Sequence, residues 1–248
     1  MSDSMFSNQK MQFGLNGNTL KIIAAITMLI DHTGFLLFPQ SVVLRVIGRL
    51  AYPIYAFMIA EGCRHTRNKL RYFIGIFALA VLCQTVYFFV VRDLELSILV
   101  TFSLSILLIY AWQFCRKCFE ENDIFRGILS VALFVSLIVG VYGLNQWIYV
   151  DYGFWGSVTP LLASIFMRRD QKSSGFDRNV IHVTMLGLGL LMLSLEYGSI
   201  QSYSFLALPL LYLYNGHRGK VKMKYFFYIF YPVHLTVLQG IYMLFQLF

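Results

Sequence analysis

A chain of 248 residues that is 58% hydrophobic and only 13% charged cannot hide its apolar surface in a soluble core, since soluble domains run near ~45–50% apolar and ~25% charged. With a mean hydropathy of +0.66 it reads as an integral membrane protein. The net charge of +8 does not point to nucleic acid, because the basic residues fall between apolar runs, as membrane topology requires.

Residues 1–18 are short and polar and lack the basic, apolar and small-residue zones of a cleaved signal peptide, so a short cytosolic tail is expected. Residues 19–248 read as a single transmembrane domain. A helix needs roughly 20 apolar residues to cross a hydrocarbon layer of ~30 Å. About nine such spans are predicted, at 19–38, 41–62, 70–91, 96–115, 124–144, 146–167, 179–196, 200–214 and 225–247, the eighth being short. The fold class expected is all-α, a polytopic helix bundle in which brief connections make sequential helices antiparallel. Gly140 with Gly143, and Gly187 with Gly189, suggest points of close helix approach. Cys115 and Cys118 form a lone Cys-x-x-Cys, too little for a structural zinc site. Reduced thiols facing the cytosol and no metal are expected of them and of Cys63 and Cys83.

Orientation follows from Lys and Arg. Lys10 and Lys21 mark the tail side. Arg64, Arg67, Lys69 and Arg71 follow span two, and Arg116, Lys117 and Arg126 follow span four. Arg168, Arg169, Lys172 and Arg178 follow span six, and Arg218, Lys220, Lys222 and Lys224 follow span eight. Of the 20 basic residues only Arg92 falls in a loop on the other side, while Arg45 and Arg49 lie within span two. The N-terminus is therefore expected in the cytosol, the C-terminus outside, and the protein in the inner membrane.

Ionisable residues inside a bilayer are costly and are functional candidates by default. Asp31 and His32 interrupt span one, Arg45 and Arg49 span two, and His234 span nine, with Glu61 and Asp151 nearer the ends of their spans. At ~1.5 Å of rise per residue, His32, His234 and Arg49 lie roughly 12–17 Å from the nearest membrane edge, one shared layer. Arg45 and Arg49 are four apart and share a helix face. Asp31 could pair with either arginine and simply pin the first two helices together. His32 gains little by burial and can exchange a proton near neutral pH, which suits a general base. His65, His182 and His217 read as solvated residues at cytosolic helix ends, and Glu196 as an outer rim residue. Two classes remain on this reading, a transporter with a charged binding layer and a membrane-embedded transferase.

Several stretches carry a family resemblance. Leu-Lys-Ile-Ile-Ala (20–24) leads to Met-Leu-Ile-Asp-His-Thr-Gly (28–34), then Leu-Arg-Val-Ile-Gly-Arg-Leu-Ala-Tyr-Pro-Ile-Tyr-Ala-Phe (44–57) and Glu-Gly-Cys-Arg-His-Thr-Arg-Asn (61–68). Asp-Tyr-Gly-Phe-Trp-Gly (151–156), Leu-Tyr-Asn-Gly-His-Arg-Gly (213–219) and Lys-Tyr-Phe-Phe-Tyr-Ile-Phe-Tyr-Pro-Val-His-Leu (224–235) follow in order. Together they resemble the TraX family, whose named member acetylates the amino terminus of a conjugative pilin; residues 92–145 match only in hydrophobicity.

The resemblance implies a polytopic acyltransferase that uses cytosolic acetyl-CoA as co-substrate, with the catalytic histidine at His32 and the helping arginines at Arg45 and Arg49. On this reading His32 removes a proton from the acceptor and an arginine stabilises the oxyanion. Asp31 and His234 complete the candidate site, and an acetyl-His32 intermediate ranks second to direct transfer. Arg64, Arg67, Lys69 and Arg71, with Arg218 and Lys220, would form a basic rim for the phosphates of the donor. The expected partners are membrane lipid and an acceptor, first a peptide or protein amine and alternatively a surface glycan hydroxyl.

Overall fold

The computed structural model describes residues 14–91, 95–167, 175–221 and 223–246. Residues 1–13 of the expected tail, and Lys10, Arg92, Arg168, Arg169, Lys172 and Lys222 from the orientation argument, lie outside them. The chain is helical: α1 (Gly17–Leu36), α2 (Val42–Gly48), α3 (Ala51–His65), α4 (Lys69–Val91), α5 (Ile98–Glu120), α6 (Ile124–Trp147), α7 (Gly153–Ser164) and α8 (Gly175–Tyr197). A broken segment follows, α9 (Ser199–Ser202), a 3-10 turn (Tyr203–Ala207) and α10 (Leu208–Tyr212), before α11 (Lys224–Gln246). Among the described residues, β-pairing is confined to the isolated bridges Leu15–Tyr214 and Leu96–Val150.

Among the described residues, seven helical segments are long and apolar enough to cross a membrane: α1, α2 with α3, α4, α5, α6, most of α8, and α11. The sixth and eighth predicted segments form shorter helices for local reasons. Helix α7 opens on Tyr152 in the left-handed region at φ 61° and Gly153 at φ 56°, and carries Ser157, Thr159 and Pro160 within its 12 residues. The segment after α8 starts at Gly198, φ 85°, and restarts at Pro209 near the N-terminus of α10, where a missing N–H is harmless.

Both short segments run alongside the long helices. At one end Leu15 N–H donates to Leu213 O at 2.8 Å and Gly17 N–H to His217 O at 2.7 Å, and Asn179 at the start of α8 donates to Tyr214 O. Arg116, late in α5, donates to Met167 O at 3.1 Å, so the end of the α7 segment reaches the level of the last turns of α5. At the opposite end Thr101, early in α5, donates to Asp151 O, and Gln201 meets Arg49.

Burial ranks the helices. Half of the apolar window of α5 is buried, against 17% for each of α4, α6 and α11, so α5 is central and the other three present their apolar faces outward. Helix α7 is enclosed by α3, α5 and α8. Glycine is needed where backbones meet: a Cβ on Gly189 would lie 2.7 Å from Thr159 Oγ1 of α7. Gly140 and Gly143 face open space instead, which corrects their reading as contact points. The four cysteines are free and buried rather than facing the cytosol. His182, expected to be solvated, is 1% exposed, because α8 turns that face inward.

Candidate functional site

The hairpin of α1 and α2 builds a charged layer inside the apolar bundle. Its closeness depends on glycine. A Cβ on Gly48 would come within 2.2 Å of Asp31 Cβ, and one on Gly34 within 2.7 Å of Leu44 Cβ. The approach lets one carboxylate meet two guanidinium groups. Asp31 Oδ2 accepts from Arg45 Nη1 at 3.0 Å. Arg49 Nη2 forks onto Asp31 Oδ1 at 3.0 Å and Oδ2 at 3.1 Å. Two cations on one anion leave the layer with an excess positive charge.

The two arginines are held differently. Arg49 also donates to Gln201 Oε1 at 3.0 Å and lies over the Tyr152 ring at 6.0 Å; its side chain is 12% exposed. Arg45 is 27% exposed, donates to the Asp31 carbonyl at 3.3 Å and lies over Phe35 at 5.1 Å. Arg49 is thus locked, and Arg45 is the cation open to a further partner. Tyr52 closes one side, stacked on Tyr152 at 4.2 Å between centroids and donating to Gly156 O at 2.8 Å.

Adjacent in sequence, Asp31 and His32 point to different partners, as the ~100° helical step requires. His32 Nδ1 lies 2.9 Å from His234 Nε2 on α11. His234 Nδ1 lies 2.8 Å from Phe230 O. A carbonyl only accepts, so His234 Nδ1 carries a proton and, in the neutral ring, its Nε2 is an acceptor. His32 Nδ1 must then be the donor, which leaves the lone pair of neutral His32 on Nε2. No described residue hydrogen-bonds that atom. The chain Phe230–His234–His32 fixes the tautomer, the second-partner logic by which a histidine is oriented for use.

The predicted basic rim is divided. Arg64 and Lys69 line a cleft with Arg116 and Lys117 of α5, together with Cys63, Thr66, Gln113, Glu120 and Met167. Arg64 is buried and paired with Glu61 at 3.4 Å; Glu61 also binds His65 at 3.0 Å and accepts from Tyr214. Arg67, Arg71, Arg218 and Lys220 are exposed and line no part of this cleft. Sequence reasoning treated Arg116 and Lys117 only as topology markers, although they sit at a helix end beside the first basic cluster. It also passed over Tyr52, Tyr152 and Gln201. Of these, only the Tyr-Pro step and the Asp-Tyr-Gly run were visible signals.

The sequence pattern of the family described as TraX protein matches residues 16–242 of this chain. A probable fimbrial assembly protein of Dichelobacter nodosus (serogroup H1) is 27% identical over 241 residues, covering 88% of this chain and 92% of that protein. An uncharacterized protein of Rickettsia prowazekii is 30% identical over 134 residues, 54% of this chain and 49% of its own length. No solved structure matches.

Proposed function

The chain belongs to the TraX family, and from that premise we propose that it is a membrane-embedded acetyltransferase, moving an acetyl group from acetyl-CoA to the amine of a peptide or protein. The observation that carries the reading is the bare Nε2 of His32, fixed by His234 beside the doubly cationic Asp31 layer. A similar protein named for fimbrial assembly supports a protein acceptor over a glycan.

His32 Nε2 takes the proton of the attacking amine as the new N–C bond forms at the thioester carbon. The oxyanion of the tetrahedral intermediate draws on the excess positive charge, through Arg45, the more accessible arginine. Collapse breaks the C–S bond, and the proton on His32 passes to the departing thiolate, giving CoA thiol and the acetylated acceptor. Asp31 and Arg49 hold Arg45 and the helix hairpin in place. The Arg64–Lys69–Arg116–Lys117 cleft supplies cations for the donor's phosphates. Arg64 and Arg49 are 15 residues apart on the α2–α3 span, roughly 22 Å of helix, which the donor's arm would bridge.

The basic residues support placing the cleft end in the cytosol of an inner membrane. The runs of 150–167 and 199–214 alongside the long helices support nine crossings, two of them by short helices.

Purified protein given radiolabelled acetyl-CoA and membrane extract tests the function. Label should appear on a protein acceptor with wild type and not with His32→Ala. Absence of both CoA binding and label transfer overturns the enzyme reading in favour of transport, and label on glycan changes the acceptor class.

A further inference from the structure

At the end of the bundle opposite the basic cleft lies a second, different cleft. It has a volume of about 360 Å³ and is lined by Tyr142, Asn145, Tyr149, Trp155, Glu196 and Tyr197, among others. That is within the ~300–1,000 Å³ usual for small-molecule sites. Five aromatic residues and one carboxylate line this space, and no Lys or Arg is among its described lining residues. Glu196 is exposed and forms no ion pair with a described residue. Asn145 Oδ1 is buried without a hydrogen-bond partner, leaving an acceptor unmet at the same wall.

The rings are not a flat interfacial belt. Tyr142 packs edge-on to Phe154 at 5.5 Å, and Phe154 against Trp155 at 5.3 Å, so aromatic walls turn around a concave space. Aromatic faces carry negative potential and hold organic cations. A lone carboxylate among them selects the same charge.

We infer that this cleft is a binding site for the primary ammonium end of a peptide, the acceptor's docking site in the reaction proposed above, on which this assignment rests. Its position suits the task. Val150 and Gly153 line it, while Tyr152 between them stacks on Tyr52 and lies under Arg49. One short segment therefore separates the cleft from the charged layer. A cationic amine is captured at the carboxylate end, gives up one proton to solvent and passes as the neutral amine to the charged layer, where His32 takes the second; the donor's phosphates are drawn to the opposite, basic end, so the two substrates do not compete for one mouth.

The probe is the tripeptide Ala-Ala-Phe-amide, with a free amino terminus or N-acetylated, in equilibrium dialysis with the full-length purified protein. The free amine should bind, and acetylation should weaken binding at least tenfold. Glu196→Gln should weaken the free amine at least tenfold, leave the acetylated peptide unchanged, and elute like wild type because the side chain is exposed. Trp155→Leu should act in the same direction. His32→Ala should retain binding. Equal affinity for the two peptides, no binding of either, or full affinity in Glu196→Gln overturns the site. Binding as described without label transfer in any protein defeats the acetyltransferase reading alone. Transfer with an unchanged acceptor KM in Glu196→Gln defeats this site alone.

Discussion

Removing the charge of Asp31 tests the layer on which the site is built. Asp31→Asn strips the carboxylate from two arginines at once, whereas Arg49→Gln or Arg45→Gln leaves Asp31 with one remaining cation. Breaking a buried ion pair from one side costs about 3–5 kcal/mol, because the other charge stays buried without its partner. Arg49, at 12% exposure, belongs near that range when it loses Asp31. Arg45, at 27%, is screened further and contributes about 1 kcal/mol. The expected order of destabilisation is therefore Asp31→Asn, then Arg49→Gln, then Arg45→Gln. The double variant Asp31→Asn/Arg49→Gln should be less damaged than the two singles added together, by ~0.5–3 kcal/mol, the usual coupling of residues in contact.

The assay is reversible unfolding in mixed micelles by denaturing detergent, followed by circular dichroism, on all four variants and wild type. An Arg49→Gln protein less stable than Asp31→Asn would refute the hub geometry. Additive losses in the double variant would refute the direct pair.

Other expected outcomes follow from the same contacts. His32→Ala should extract and elute like wild type while turnover falls by ~10²-fold or more; His234→Ala, which removes only the tautomer lock, should lose less at saturating acetyl-CoA. Arg64→Gln and Arg116→Gln should raise the KM for acetyl-CoA with little change in kcat, seen in initial-rate kinetics. After removal of the native cysteines, a cysteine at Asn145 or Glu196 should react with an impermeant maleimide in intact cells, and one at Lys172 should not.

What the sequence disclosed depended on how local the signal was. Asp31, His32, Arg45, Arg49 and His234 stood out because charge in an apolar run is rare, and depth counting put them near one level. Which of them touch is a question of helix packing, which no spacing encodes. Asp31 and His32 are adjacent yet serve separate networks, and His32 finds its partner 202 residues away. Arg116 was invisible as a cleft residue because its neighbours in space, Arg64 and Lys69, come from another hairpin. Span counting succeeded where helices are long and lipid-facing, as for α4, α6 and α11. It strained at α7, whose walls are protein and where burial by neighbouring helices relaxes the requirement for twenty apolar residues, and at 199–212, which is broken into short helical pieces.

Those two short elements explain how further polar side chains reach the layer. A helix of full membrane length keeps its termini at the surface, where loose N–H and C=O groups meet water. Helix α7 begins only at Gly153, so Asp151 and Tyr152 hang in the strained turn above it, within reach of Arg49. The segment after Gly198 likewise supplies Gln201 to the same guanidinium. Arg49 is gripped by Asp31 from a long helix and by residues from the ends of two short ones. Lengthening α7 by one turn would carry Tyr152 out of that contact. The shortness of these helices is therefore part of how an arginine is fixed inside an apolar bundle while its neighbour Arg45 stays open to a reacting group.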